Sequence, residues 1–206
     1  MKKLILVEGR NDGAFLREII SKATHLSISP FFYPNNGLKS EKKDQETVML
    51  RNYCGDDDFH NLFVKEEGGH NFVIGLFINL VVNFLISNKD LCLTVLFDHD
   101  SRDPNIEIQK INNDLKAKTG GKITFKQSKP TQKILEGFNR RDFSLVQLMG
   151  VKSNNLASFS FATFDTSLEE VVSRYYSKLE SDLDESDFKK FASAIDIQDL
   201  IPCRPW

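Results

Sequence analysis

Apolar and polar positions along this chain follow two periods, one of strands and one of helices. The short apolar runs at residues 4–7 and 91–97 read as buried strands of a parallel sheet. After the first, Phe15, Leu16, Ile19 and Ile20 mark one stripe of a helix over 13–23, with Asp12 as its expected N-cap. A second strand over 27–33 stops at Pro34-Asn35-Asn36-Gly37, a turn signal. Residues 39–60 are mostly polar, with Asp56-Asp57-Asp58 among them, and predict an exposed insertion carrying at most one short helix. Gly68-Gly69-His70-Asn71 then opens the most apolar helix, with Phe72, Val73, Leu76, Phe77, Leu80, Val81, Phe84 and Leu85 at helical spacing. Its glycines serve either a bound anion or simply the turn into the helix. Behind Pro104 a helix runs through Ile106, Ile108, Ile111 and Leu115, and a short strand at 122–125 follows Gly120-Gly121.

This β-α-β-(insertion)-α-β-α-β order predicts an α/β fold of three layers, a mostly parallel sheet flanked by helices. Later residues suggest strands at 145–151 and 156–164, and a helix at 167–179 capped by Thr166 or Ser167. An acidic helix at 187–194 and a tail at 201–206 with two prolines follow. The pattern divides the chain into a main domain, 1–135, and a small α+β extension, 136–206, packed on or beside it.

Composition refines this picture at a few points. With 40% hydrophobic residues and 17 Phe, 206 residues can bury a substantial core. No apolar run reaches the roughly 20 residues needed to span a bilayer. Met1-Lys2-Lys3 leads straight into a strand, so the reading expects a cytoplasmic protein without a signal peptide. Cys54, Cys92 and Cys203 form no C-x-x-C pair and are expected to be reduced, Cys92 as a core residue. The net charge of −2 argues against coating nucleic acid by bulk electrostatics. Its distribution is uneven, with 22 Lys+Arg against 19 Asp+Glu over 1–164, and 5 against 10 over 165–206.

Both principal strands end in acid. Glu8 follows Leu4-Ile5-Leu6-Val7, and Asp98 and Asp100 follow Val95-Leu96-Phe97. Ligands of open α/β sheets collect outside the carboxyl ends of the strands. In an extended segment the spacing Asp98-x-Asp100 puts two carboxylates on one side, a hard-oxygen set suited to magnesium when Glu8 faces it. Glu8-Gly9-x-x-Asp12 after a first strand, with Asp98-x-Asp100 after a later one, resembles the TOPRIM domain over roughly residues 1–130. Topoisomerases, bacterial-type primases, OLD-family nucleases, small maturation ribonucleases and recombination proteins share that domain. The resemblance implies a magnesium-dependent phosphoryl transfer on RNA or DNA, with manganese a substitute, Asp98 and Asp100 on the metal, and Glu8 as general acid or base or a further ligand. Asp12 matches the family's second acid. Asp103 is read as a ligand or a loop acid, and Glu169 or Glu170 as a distal acid or a helix-dipole partner.

Several classes are excluded by what is missing. There is no room for the extra domains of a topoisomerase, no zinc-binding cysteine pattern of a primase, and no G-x-x-x-x-G-K-[ST] of an attached ATPase. A stand-alone nuclease remains, and beside it a non-catalytic nucleic-acid-binding or repair accessory protein, or a subunit needing a protein partner or a second copy. For phosphate contacts the sequence offers Arg10 and Arg102, and the acid-free stretch 116–133 with Lys122, Lys126 and Lys129. His99, flanked by the aspartates, reads as a core or surface residue rather than a ligand. His70 is a weaker candidate for a phosphate contact.

Overall fold

A computed structural model describes residues 2–33, 43–55, 59–87, 91–100, 102–149 and 152–201. One mixed, mostly parallel eight-stranded sheet runs through it in the order β2-β3-β1-β4-β8-β7-β5, with β6 paired to β7. The strands are β1 (Lys2–Val7), β2 (Pro30–Tyr33), β3 (Leu62–Glu66), β4 (Leu91–Asp98), β5 (Ile123–Gln127), β6 (Gln132–Leu135), β7 (Phe138–Met149) and β8 (Lys152–Phe164). Five neighbours, β2, β3, β1, β4 and β8, run parallel, and β7 is antiparallel to β8, β5 and β6.

Alternation along the strands sorts the core into two layers. Leu4, Leu6, Phe63, Leu93, Val95, Phe97, Phe159 and Phe161 face one side. That side is covered by α2 (Lys43–Gly55), α3 (His70–Leu80) and α4 (Pro104–Lys118). Ile5, Val7, Leu62, Val64, Leu96, Ala162 and Phe164 face the other, covered by α1 (Arg10–Lys22), α5 (Leu168–Tyr176), α6 (Glu185–Ser193) and α7 (Ile197–Leu200). The expected three-layer α/β architecture is therefore present. The chain leaves β1 toward β3 and β2 and later returns to β4 on the other side of β1. The β1/β4 boundary is thus the switch point at which such sheets open a crevice.

Several expectations shift. Residues 39–60 are not a wholly exposed insertion: α2 spans Lys43–Gly55 and buries Leu50 and Tyr53. The Tyr53 hydroxyl donates to the Lys3 carbonyl (2.7 Å) and accepts from the Lys3 amide (3.1 Å), which fastens this helix to the start of β1. Behind it, β3 is a strand the polar pattern concealed, and β6 is another. The division at residue 135 runs through the continuous sheet, because β8 pairs with β4 from Leu93↔Phe159 to Asp98↔Phe164. Cys92 is buried in β4 and disulfide-bonded rather than reduced, and Cys54 is free. The turn at 34–37, the acids at 56–58 and the tail from 202 lie outside the described residues. No described helix is long and apolar enough to cross a membrane.

Candidate functional site

The parallel strands deliver their carboxyl ends to one edge of the sheet, and that edge carries the acids. Glu8, Arg10, Asn11, Asp12, Glu67, Asp98, Glu169 and the glycines 9, 68 and 69 line an open cleft of about 610 Å³ there. The loop from β3 is tied to the end of β1 by Glu67 N–H to the Val7 carbonyl and Gly69 N–H to the Glu8 carbonyl, both 2.9 Å. Gly69, at φ +127°, turns the chain into α3. Its amide is thereby used inside the protein, which weakens the reading of these glycines as an anion cradle.

On the α3/α4 side of the edge, Glu8 belongs to a paired network. His70 stands at the first position of α3 and donates from Nδ1 to Glu8 Oε1 (2.7 Å) and from Nε2 to Glu107 Oε1 (2.8 Å). Only an imidazolium has both ring N–H groups. In agreement, the Glu107 and Glu8 hydrogen bonds hold His70 up at about 9 against the opposing effect of burial. Glu107 also accepts from His99 Nδ1 (2.5 Å) and Arg102 NH1 (3.2 Å). Burial opposes its ionisation, but the hydrogen bonds from His70 and His99 prevail and bring it down to about 2. His99 is fully buried under Phe97, as a core histidine with a carboxylate partner.

On the α1/α5 side the acids are uncompensated. Asp98 is pushed up to about 8, first by burial and then by Asp12, Glu8, Glu169 and Asp100. Its Oδ1 is buried and has no hydrogen-bond partner. Asp12 rises to about 7 through burial and the neighbouring Glu8, Glu169 and Glu66, although its bond from the Gly9 amide opposes this. That bond (3.0 Å) corrects the N-cap expectation: Gly9 is the N-cap and Asp12 is the third helical residue, reaching back to it. Glu169, in the first turn of α5, accepts from Asn11 Nδ2 (3.1 Å) and borders the same cleft. Gly13 lets α1 lie close to β3, since a Cβ there would fall 2.2 Å from Glu66 Oε1.

The remaining candidates sit elsewhere. β4 ends at Asp98, and Asp100 takes φ +48°, so strand alternation no longer sets the direction of its side chain. Asp100 is half-exposed and lies 3.6 Å from Arg102, with no place in the cleft lining. Asp103 is committed as the N-cap of α4, accepting from the Asn105 (2.7 Å) and Ile106 (3.3 Å) amides. Arg10 is exposed on the cleft rim, and Arg102 is held by Glu107 and Asp100. Lys122, Lys126 and Lys129 are exposed at the β5 edge, and Lys129 pairs with Asp142 (3.6 Å). Strand β5 is three strands from β4, about 14 Å, and Gln127 is level with Leu93 through Phe143 and Phe159. Lys126, the one of the three inside β5, therefore sits roughly 16 Å or more below Asp98, and none of the three lines the cleft. They do not border the acids.

Hard oxygen donors in an open polar cleft, one of them an unpartnered buried carboxylate oxygen, fit a divalent cation in chemical kind. They do not form a closed cage: among the described residues, no three His, Cys, Asp or Glu side chains converge closely enough to hold a metal. Glu107 is the functional-looking residue the sequence concealed, and His70, weighed there for a phosphate contact, is bonded to two carboxylates instead. Glu107 resembles any acid on an amphipathic helix until α3 and α4 bring His70 to it. No protein-family model, curated protein or solved structure matches the chain.

Proposed function

We propose that this protein is a magnesium-dependent enzyme of nucleic-acid phosphoryl transfer, most simply a nuclease, built on a TOPRIM-type domain. The observation that carries the reading is Asp98: a half-buried carboxylate with one buried, unpartnered oxygen, crowded by Asp12 and Glu169 at the switch point of the sheet. Crowding of this kind is relieved by a proton or by a cation. Asp98 would hold the cation directly, with Asp12, Glu169 and Glu8 reaching it through water, and a bound magnesium would offset charge on phosphate oxygens. The chain's own contributions are separable. Arg10 on the rim meets the phosphodiester, and the His70–Glu107 pair holds the Glu8 carboxylate in one orientation.

A second reading, a nucleic-acid-binding accessory protein without chemistry, is favoured by one feature. Glu8 is turned toward α3 and bonded to His70, whereas Asp98 lies on the α1 side, so the two acids do not share one ligand position. Labelled single- and double-stranded RNA and DNA, incubated with magnesium, manganese or EDTA, discriminate the two. Cleavage that requires metal and disappears in Asp98→Asn and Glu8→Gln, with folding intact, is the expected result. Binding that persists in both variants without cleavage of any substrate would sink the enzyme and leave the accessory protein.

A further inference from the structure

A groove of about 760 Å³ opens between α1, α5 and α6, on the side of the sheet away from α3 and α4. Its volume is within the range of functional pockets. Its floor is apolar: Phe15, Leu168, Leu183 and Phe188. Leu183 and Phe188 are only half-buried there, packed on the core from one side.

Its rim is acidic. Glu18, Glu169, Glu180 and Glu185 stand against Arg17 and Lys189. Arg17 is engaged with Glu66 (3.3 Å) and the Phe32 ring, Lys189 with the rim's own Glu185 (2.6 Å), and Glu18 with Lys22 (3.4 Å) outside the groove, so Glu169 and Glu180 are the surplus acids of the rim. The groove therefore presents surplus negative charge above an apolar floor. Just outside it, Leu179 is 70% exposed, an apolar side chain with no cover. Three of the ten acids of residues 165–206, Glu169, Glu180 and Glu185, line this surface. A nucleic-acid backbone would be repelled there, so the groove does not extend the track of a phosphodiester substrate.

We infer that this groove docks a basic, amphipathic helical segment of a partner protein. Charge complementarity selects a cationic ligand, and an apolar trough between helices accepts side chains at i, i+3/i+4 and i+7 with lysines or arginines toward the rim. Asn11 and Glu169 line both this groove and the acid cleft, so an occupant of the groove forms one wall of the cleft. The inference does not depend on nuclease activity.

A fluorescein-labelled 18-residue peptide of Leu and Lys at helical spacing is the probe, titrated by anisotropy in the absence of nucleic acid. Two controls accompany it, the same composition with helical spacing scrambled and a Leu/Glu counterpart. The Leu/Lys helix is expected to bind at least tenfold more tightly than either. Binding should weaken at least tenfold in Glu18→Gln/Glu180→Lys, two exposed-rim changes whose folding is checked by thermal melting. In the wild type, amide shifts should change around Leu183 and Phe188. Equal binding of the scrambled peptide, indifference to the double substitution, or shifts confined to other surfaces would overturn the inference. So would sedimentation showing that a second copy of the chain occupies the groove and excludes the peptide.

Discussion

The two sides of the sheet's carboxyl edge carry acids in opposite electrostatic states. Toward α3 and α4, Glu8 and Glu107 share His70, and Glu107 also takes His99 and Arg102, so each negative charge has a hydrogen-bonded cation or donor. Toward α1 and α5, Asp98, Asp12 and Glu169 face one another with the Gly9 amide and Asn11 as their polar relief. The first set holds ionisation in place: Glu107 falls to about 2 and His70 climbs to about 9. The second resists ionisation, with Asp98 near 8 and Asp12 near 7. Register already separates them: Val7 pairs with Leu96, so Glu8 comes level with Phe97 and faces α3, while Asp98 faces α1. The difference is whether a helix brings a histidine to the acid. A compensated set is complete within the protein, whereas an uncompensated one has an electrostatic reason to take up a cation.

The strongest way to break this comparison is to remove the centre of the compensated side. Glu107→Ala leaves His70 and the buried His99 without their shared carboxylate and should cost about 3–4 kcal/mol in urea denaturation. A loss below about 1 kcal/mol would mean that the network is ornamental. The uncompensated side should answer with the opposite sign: Asp98→Asn is expected to stabilise the metal-free protein by about 2 kcal/mol at pH 8.

The pH dependence sharpens the contrast further. Asp98 and Asp12 have folded values above their unfolded ones, so their contribution is full below about pH 4 and lost as pH rises through 7 to 8. His70, also raised, contributes fully below about pH 6.5 and fades through 9. Glu107, depressed, contributes above about pH 4.5 and fades as pH falls through 2. Stability measured against pH should therefore decline from pH 4 to 8 in the wild type and decline less in Asp98→Asn. A decline of equal size in both would assign it to other groups.

A divalent cation gives a smaller and more specific effect. At pH 8, magnesium at about ten times its dissociation constant should raise stability by about 1.4 kcal/mol, or about 3 °C in melting temperature. Asp98→Asn should abolish the rise, and an equal rise in that variant would place the cation elsewhere. Gly13→Ala is expected to cost about 1 kcal/mol, as the intruding methyl displaces Glu66 and outweighs the gain in helix propensity. The smallest effect is that of Lys126→Ala, under about 0.5 kcal/mol and without influence on metal uptake, since this exposed residue lies far from both acid sets.

What the sequence made legible follows from signal length and locality. β1, β4 and α1 carry uninterrupted periodic patterns, and the acids that close β1 and β4 do reach one edge. β3 escaped because its five residues end in Lys65-Glu66 and read as part of a charged stretch. Both side chains are buried all the same, Lys65 with Glu67 and over Tyr33, Glu66 with Arg17. The spacing Asp98-x-Asp100 puts both carboxylates on one side only where the strand continues through Asp100, but β4 ends at Asp98 and a positive φ at Asp100 breaks the alternation. The Glu8–His70–Glu107–His99 network joins residues from four separate segments, and no local pattern announces a contact that depends on how α3 packs beside α4.

The parallel pairing of β4 with β8 has a consequence for the order in which the molecule can be made. Strand β4, which ends in the candidate site, borders β1 on one side, but its other neighbour is not synthesised until 54 residues after Asp98, at the start of β8. Until then its far edge is an open row of amides and carbonyls beside Val95 and Phe97, a surface that recruits foreign strands. A nascent chain halted in the β6–β7 region would be a template for aggregation rather than a half-built fold, and the last third of the sequence acts as the closure of a sheet begun at residue 2.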